Sequence, residues 1–405
     1  MNTTCLSGLR VIEFSAFVAA PSAGLALAQL GAEVIRIDPL GGNIDVDRAP
    51  LAPTGRSLYW ASLNRGKKSV ELDVRSATGR ALMQRLIIAG QPAVFLTNLS
   101  VSAELSYAEL SKLRPDLIMV QLVGSPDGAN AVDYTVNCAA GFPGITGDGH
   151  GPVNQVLPAW DLTAGQMLAL AVLAAERQWR IDGRGQHVKL ALSDVAMASA
   201  ANLGYLADVE LNGTQRRADG NFVYGAYGDS FQCADARHVM VVAISERQWQ
   251  ALLRATGLQD ALNAAATALG HRLETEAGRY AARELISTAL RPWFAQRTLA
   301  EVSAAFTDRA LLWGPYRSFA QMLAEDARCS QANPMFAPTD HPGVGRFLTA
   351  RTPLDFGNER TPPAGLAPAL GQHTQPVLRQ LAGLDDDALQ ALARAGVIRA
   401  TTASN

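Results

Sequence analysis

Over the first 125 residues, short apolar runs of strand type alternate with stretches of helical spacing, and this alternation limits the possible folds more than any other feature. Leu9 to Phe14, Ala32 to Ile37, Ser69 to Asp73, Ala93 to Leu96 and Leu117 to Val123 read as strands. Ser22 to Leu30, stopped by Gly31, and Gly79 to Ala89 read as helices. Strands that alternate with helices return parallel, and the helices then cover both faces of the sheet. The expected fold class is α/β, built on a large Rossmann-like parallel sheet. At 405 residues the chain is long enough for one large domain or two.

Further along, residues 124–160 are rich in Gly, Pro, Asp and Asn and read as a long, mostly irregular segment of the kind that usually carries function. A strong helix is expected from Leu162 to Trp179, then a turn at Gly183-Arg184-Gly185 and a strand from Val188 to Leu192. The character changes near residue 235, where a strand (Val239 to Ile244) precedes helices around 246–256 and 278–296. The expected division is a large α/β domain at 1–210, an inserted smaller α+β domain at 225–325, and a return segment at 326–405. The last of these ends in a helix, Thr374 to Ala395, that packs back on the large domain.

Several functions are argued against on chemical grounds. The net charge of −2 does not suit a nucleic-acid binder, whose footprint is basic. The longest apolar stretch, Leu162 to Ala175, is interrupted and too short to span a membrane, which takes about 18 apolar residues. Cys5, Cys138, Cys233 and Cys329 lie far apart, and the six histidines never fall at zinc spacing, so no metal site is expected. With no basic-then-apolar leader at the N-terminus, the expected location is the cytoplasm. The loop after the first strand, Ser15 to Pro21, lacks the glycines that a dinucleotide needs for close approach. Gly66-Lys67-Lys68-Ser69 lacks the first glycine of a phosphate loop, and GxSxG is absent.

That leaves carboxylates in loops. Asp161 follows an apolar approach, Val156 to Trp160, and stands directly before the strong helix. Its plain reading is a helix N-cap. The two readings are compatible, because a carboxylate fixed at a helix start beside apolar walls has the properties of a nucleophile.

Several segments together resemble the class III CoA-transferase family, of the formyl-CoA transferase type. Gly8 to Pro21 and Leu30 to Asp38 are similar to its first βαβ unit, and Asn64 to Asp73 to its second signature. Asp161 to Ala175 with Gly183 to Gln186 resembles the segment bearing its catalytic aspartate, and Leu370 to Thr374 its C-terminal signature. Less generic stretches resemble the branch that moves CoA between the two carboxyls of mesaconate: Ser15 to Pro21, Val132 to Asn137, Val156 to Asp161, Asn333 to Phe336 and Pro353 to Phe356. Two departures point away from oxalate exchange. Val18 stands where formyl-CoA transferases have a Gln, and residues 220–235 hold only isolated glycines. Val132 stands where the related racemases have a catalytic His, which argues against proton abstraction at Cα.

The resemblance implies a CoA-binding large domain, an interlocked homodimer, and no cofactor beyond CoA as part of the substrate. It assigns Asp161 as nucleophile, with Asp133 and Tyr134 as possible auxiliaries. CoA contacts map to Phe17, Val18, Ala19, Leu72, Arg75, Asn98 and Leu99. The free carboxylate of the substrate would meet Tyr134, Arg48 or Arg317. The implied reaction converts 2-methylfumaryl-CoA (mesaconyl-C1-CoA) to 3-methylfumaryl-CoA (mesaconyl-C4-CoA) within one acid. The alternative is an intermolecular transfer between an acyl-CoA and a free dicarboxylic acid, which uses the same Asp161.

Overall fold

β1 (Arg10–Phe14) stands inside a six-stranded parallel sheet, flanked by β2 (Glu33–Asp38) and by β4 (Val94–Thr97). The computed structural model describes residues 4–308, 310–357 and 365–399. They divide into two compact units, the first formed by residues up to Gly141, Asn154–Thr214 and those from Ala327 onward, the second by Phe142–Val153 and Gln215–Asp326.

In the first unit the chain runs through β1, α1 (Ala19–Gln29), β2, α2 (Leu58–Leu63), β3 (Lys68–Glu71), α3 (Ala77–Ile88) and β4. It continues through α4 (Tyr107–Leu113), β5 (Ile118–Val123), α5 (Asp133–Ala139), α6 (Ala159–Asp182), β6 (Gln186–Ala191), α7 (Leu192–Asn202) and α8 (Tyr205–Asn212). The sheet order is β3-β2-β1-β4-β5-β6, so the expected parallel α/β architecture is present.

Side chains alternate across a strand, and the two faces of this sheet differ. Ile12, Phe14, Ile35, Ile37, Val70 and Leu72 join Leu82, Met83, Leu86 and Ile87 of α3 in one apolar core. The opposite parity places Glu13, Arg36 and Ser69 in register across three strands, all wholly buried. α1 and α6 touch closely: a Cβ added at Gly165 would stand 2.0 Å from Ser22 Oγ and 2.8 Å from the Ala19 carbonyl.

The second unit has an antiparallel sheet of β7 (Tyr227–Gln232), β8 (His238–Ala243) and β9 (Leu312–Pro315). Its helices are α9 (Glu246–Thr256), α10 (Gln259–Ala268), α11 (Glu276–Ala281), α12 (Arg283–Ala295), α13 (Leu299–Ala305) and α14 (Phe319–Glu325). Tyr227, Phe231, Trp249, Leu290 and Phe294 centre a separate core. The chain then rejoins the first unit as a hairpin, β10 (Phe336–His341) and β11 (Gly345–Ala350), followed by α15 (Thr374–Ala382) and α16 (Asp386–Arg394).

The return segment closes the edge of β3. The Glu71 N–H donates to Thr374 Oγ1 at 3.0 Å, the His373 N–H to the Ser69 carbonyl at 2.9 Å, and the Ser69 N–H to His373 Nδ1 at 3.2 Å. Backbone groups that an edge strand would leave open are thereby paired. α15 and α16 complete the apolar core through Val377, Leu378 and Leu389.

Some elements depart from expectation for local reasons. α1 starts at Ala19, because Pro21 falls in its first turn, where a missing N–H is harmless. α6 starts at Ala159 behind Pro158, so Asp161 lies inside the first turn and is not the N-cap. The loop-like 124–160 stretch contains α5. The C-terminal helix breaks in two at Gly383, whose φ is +62°.

Candidate active site

In an open parallel sheet, connections leave in opposite directions where the strand order reverses, and a crevice opens beyond the carboxyl ends there. The order places that reversal between β1 and β4. The two loops that diverge are Ser15–Val18 and Asn98–Leu99, and Asn98 ties them together. Its Oδ1 accepts the Ala16 N–H at 3.0 Å, and its Nδ2 donates to the Ala16 carbonyl at 2.8 Å. Phe17, next in the chain, is a non-glycine residue at φ +64° and is partly exposed. Such a conformation persists only where the surroundings over-determine it.

A buried ionic cluster supplies that constraint. Arg36 donates to Asp38, Asp45, Asn64 and the Ser15 carbonyl, and lies 4.5 Å over the Trp60 ring. Lys67 Nζ donates to Glu13 at 2.9 Å, Asn64 at 3.0 Å and the Pro21 carbonyl at 2.8 Å. Two cations therefore grip the backbone on either side of Phe17. Burial pushes the Lys67 ammonium down to about 8 against the pull of Glu13. Lys67 is thus a structural tie, and Lys68 is half-exposed and paired with Glu33.

Asp161 lies one turn before Gly165 on α6, and positions four apart share a helix face. The Gly165 contact with Ser22 and Ala19 packs the face of α6 that bears Asp161 toward α1. Pro158 offers no side-chain cap, so the free N–H groups of the first turn are met from outside. Asp133 Oδ2 accepts the Trp160 N–H at 2.7 Å and the Asp161 N–H at 3.0 Å. Asn137, one turn along α5, accepts the Trp160 indole N–H at 3.0 Å. α5 is thereby pinned to the start of α6. Burial, then the negative charge of Asp133, pushes the Asp161 carboxyl up to about 6. At neutral pH it is mostly ionised, yet more basic than an ordinary carboxylate.

The Arg48 guanidinium lies 5.6 Å from the Phe17 ring centre and 5.5 Å from that of Tyr59. The Tyr59 hydroxyl is buried with no hydrogen-bond partner. Burial pushes it up to about 12, against the lowering effect of Arg48, with Asp45, Asp161 and Tyr134 also within electrostatic reach.

Phe17, Val18, Ala19, Asn98 and Leu99 thus stand together at the crevice; Arg48 lies on the Tyr59 ring, Asp161 and Tyr134 are within electrostatic reach of Tyr59, and Asp133 is tied to the Asp161 backbone. Tyr134 follows Asp133 in α5 and is exposed. Leu72 is wholly buried in the apolar core, its N–H on the Asp38 carbonyl. Arg75 is exposed beyond the end of β3. Arg317 belongs to the second unit, where it pairs with Glu325 and Asp326. Sequence reasoning missed Tyr59, because Leu58-Tyr59-Trp60 reads as ordinary apolar filling. It also missed the ionic cluster, although Glu13 inside β1 and Arg36 and Asp38 at alternate positions of β2, charges within apolar runs, were a usable signal.

The family model described as CoA-transferase family III matches residues 6–374. The chain is 48% identical over 398 residues to a Chloroflexus aurantiacus protein named 2-methylfumaryl-CoA isomerase, covering 97% of each. It is 27% identical over 402 residues to the succinyl-CoA:mesaconate CoA-transferase of Haloarcula marismortui, covering 94% of this chain and 97% of the relative. The crystal structure of a CAIB/BAIF family protein from Brucella suis has the same fold, with a TM-score of 0.76 at 22% identity, covering 94% of this chain and 100% of that one.

Proposed function

The chain belongs to CoA-transferase family III, and from that premise we propose that it converts 2-methylfumaryl-CoA (mesaconyl-C1-CoA) to 3-methylfumaryl-CoA (mesaconyl-C4-CoA). It is an enzyme that works as an isomerase by transferring CoA. The observation that carries the substrate assignment is the 48% identity, end to end, with the Chloroflexus isomerase. The site supports it with a basic, half-buried carboxylate at Asp161.

The Asp161 carboxylate attacks the C1 thioester carbonyl. The C–S bond breaks, CoA leaves as thiolate, and a mixed anhydride joins Asp161 to mesaconate. The thiolate attacks the Asp161 carbonyl carbon, which releases mesaconate and leaves CoA as a thioester on Asp161. Mesaconate turns, and its C4 carboxylate attacks that thioester and expels the thiolate again. The thiolate attacks the C4 carbonyl of the new anhydride and restores the Asp161 carboxylate. Protons and electrons balance at every step. Covalent catalysis divides one difficult transfer into easier ones, and the raised basicity of Asp161 makes it a better nucleophile. Both intermediates hydrolyse readily, so the pocket must exclude water.

Phe17, Val18, Ala19, Asn98 and Leu99 would line the CoA path, with Arg75 toward a phosphate. Leu72 would act only by anchoring the turn before Arg75. Asp133 would hold the first turn of α6. Exposed Leu170, Met197, Leu203, Leu206, Val209 and Leu211 support an assembly of two copies. Exposed free Cys5 and Cys138 suit the reducing cytoplasm, and no described helix is long and apolar enough to cross a membrane.

The test is one incubation of the purified protein with mesaconyl-C1-CoA and isotopically labelled free mesaconate, the CoA regioisomers being resolved by chromatography and mass. Unlabelled C4-CoA product is expected. Labelled product would mean that the acid exchanges with solution and that the transfer is intermolecular. Absence of the regioisomer would remove the substrate assignment.

A further inference from the structure

Tyr59 and Arg48 are built as a pair. Ser57 caps α2, accepting the Trp60 N–H at 3.0 Å, and its hydroxyl donates to the Arg48 carbonyl at 2.6 Å. The backbone at Arg48 is thereby fixed to the helix that carries Tyr59. The guanidinium lies over two aromatic rings, on Phe17 and Tyr59, an arrangement that orients a cation without neutralising it. No carboxylate pairs with Arg48 among the described residues. The Tyr59 hydroxyl is buried and unmatched, and folds seldom leave a buried donor so without a use for it.

Resting on the isomerase reading above, we propose that Tyr59 and Arg48 form the receptor for the free carboxylate of the substrate and so restrict the enzyme to thioesters of dicarboxylic acids. The cation supplies charge and the hydroxyl a directed donor. Held far toward its protonated form, the phenol donates at any working pH. A fixed cation beside a donor matches a full negative charge better than a thioester carbonyl, which gains charge only in passing. During the reaction the two carboxyls exchange roles: the receptor holds C4 while C1 reacts, releases it as mesaconate turns, and then holds C1 while C4 reacts.

The test measures binding in the Asp161→Asn background, where no transfer occurs. The two ligands are mesaconyl-C1-CoA and the analogue in which a methyl group replaces the free carboxylate. The background protein is expected to prefer the dicarboxylate thioester by about 100-fold. Adding Tyr59→Phe or Arg48→Gln should each cut that ratio about tenfold while the analogue's affinity changes less than about twofold. Tyr59→Phe conserves shape and Arg48 is exposed, so both variants fold. An unchanged ratio, or equal loss for both ligands, overturns the receptor. A wild-type protein that makes no C4 regioisomer but keeps a ratio sensitive to both substitutions would sink the isomerase reading and leave the receptor standing.

Discussion

Replacing Asp161 with Asn should make the protein more stable at pH 8 while abolishing turnover. The Asp161 carboxyl is raised from its ordinary 3.8 to about 6, by burial first and then by Asp133. A raised folded pKa means that the folded state binds the proton more tightly than the unfolded chain does. Stability from this group is complete below pH 3.8 and is lost as pH rises through 6. Each pKa unit is worth about 1.4 kcal/mol, so full weight would give about 3 kcal/mol at pH 8. Partial exposure and solvent screening reduce this to about 1–2 kcal/mol. The opposing effect is the helix dipole, which favours an acid in the first turn by about 0.3–1 kcal/mol. Desolvation and like charge should therefore win. Urea unfolding of both proteins from pH 5 to pH 8 reads the difference: Asn gains about 1–2 kcal/mol at pH 8, shrinking as the pH falls. Activity should drop by at least about a thousandfold. A variant less stable than wild type at pH 8, or a gain that does not vary with pH, would refute the argument.

Three further outcomes follow from the same geometry. Asp133→Asn removes the charge that helps raise Asp161, so the acid limb of the pH–rate profile should move to lower pH; a limb that stays in place counts against the coupling. Asn98→Ala frees Ala16 on both sides; CoA thioester affinity should weaken by about tenfold, read by calorimetry, while stability falls by no more than about 2 kcal/mol. Gly165→Ala drives a methyl group against Ser22 and the Ala19 carbonyl; it should cost about 1–3 kcal/mol in chemical unfolding, and Ser22→Ala should recover only part of that because the carbonyl remains.

The parallel sheet was legible because its strands are apolar runs divided by helical spacing, a local pattern. Asp161 drew attention because it follows an apolar approach and stands beside a long helix, while its nucleophile role came from the family resemblance and not from the local pattern. Its position inside the first turn was not, because Pro158 reads as a breaker, yet the helix begins directly after it. The cap from Asp133 was hidden for another reason: it comes from 28 residues away, and no spacing rule reaches across a Gly-rich loop. The same holds for Phe142–Val153, which joins the second unit although its neighbours in sequence belong to the first. Glu13, Arg36 and Lys67 sit at positions that alternation alone would turn toward solvent, and only the closure of α1 and α2 over them makes them buried.

The return of Leu370 to Thr374 to the edge of β3 also sets an order of events during synthesis. A ribosome delivers all six strands of the parallel sheet, then the rest of the second unit, before it makes the residues that seal that edge. Until then the nascent sheet carries an open flank, with Ser69 and Glu71 unsatisfied and the core beneath lacking Val377, Leu378 and Leu389. The second unit, with its own core, is free to fold while the first waits. A chain released early would leave the ribosome with its sheet exposed to other strands, so in this protein the last few dozen residues decide whether the first hundred stay in solution.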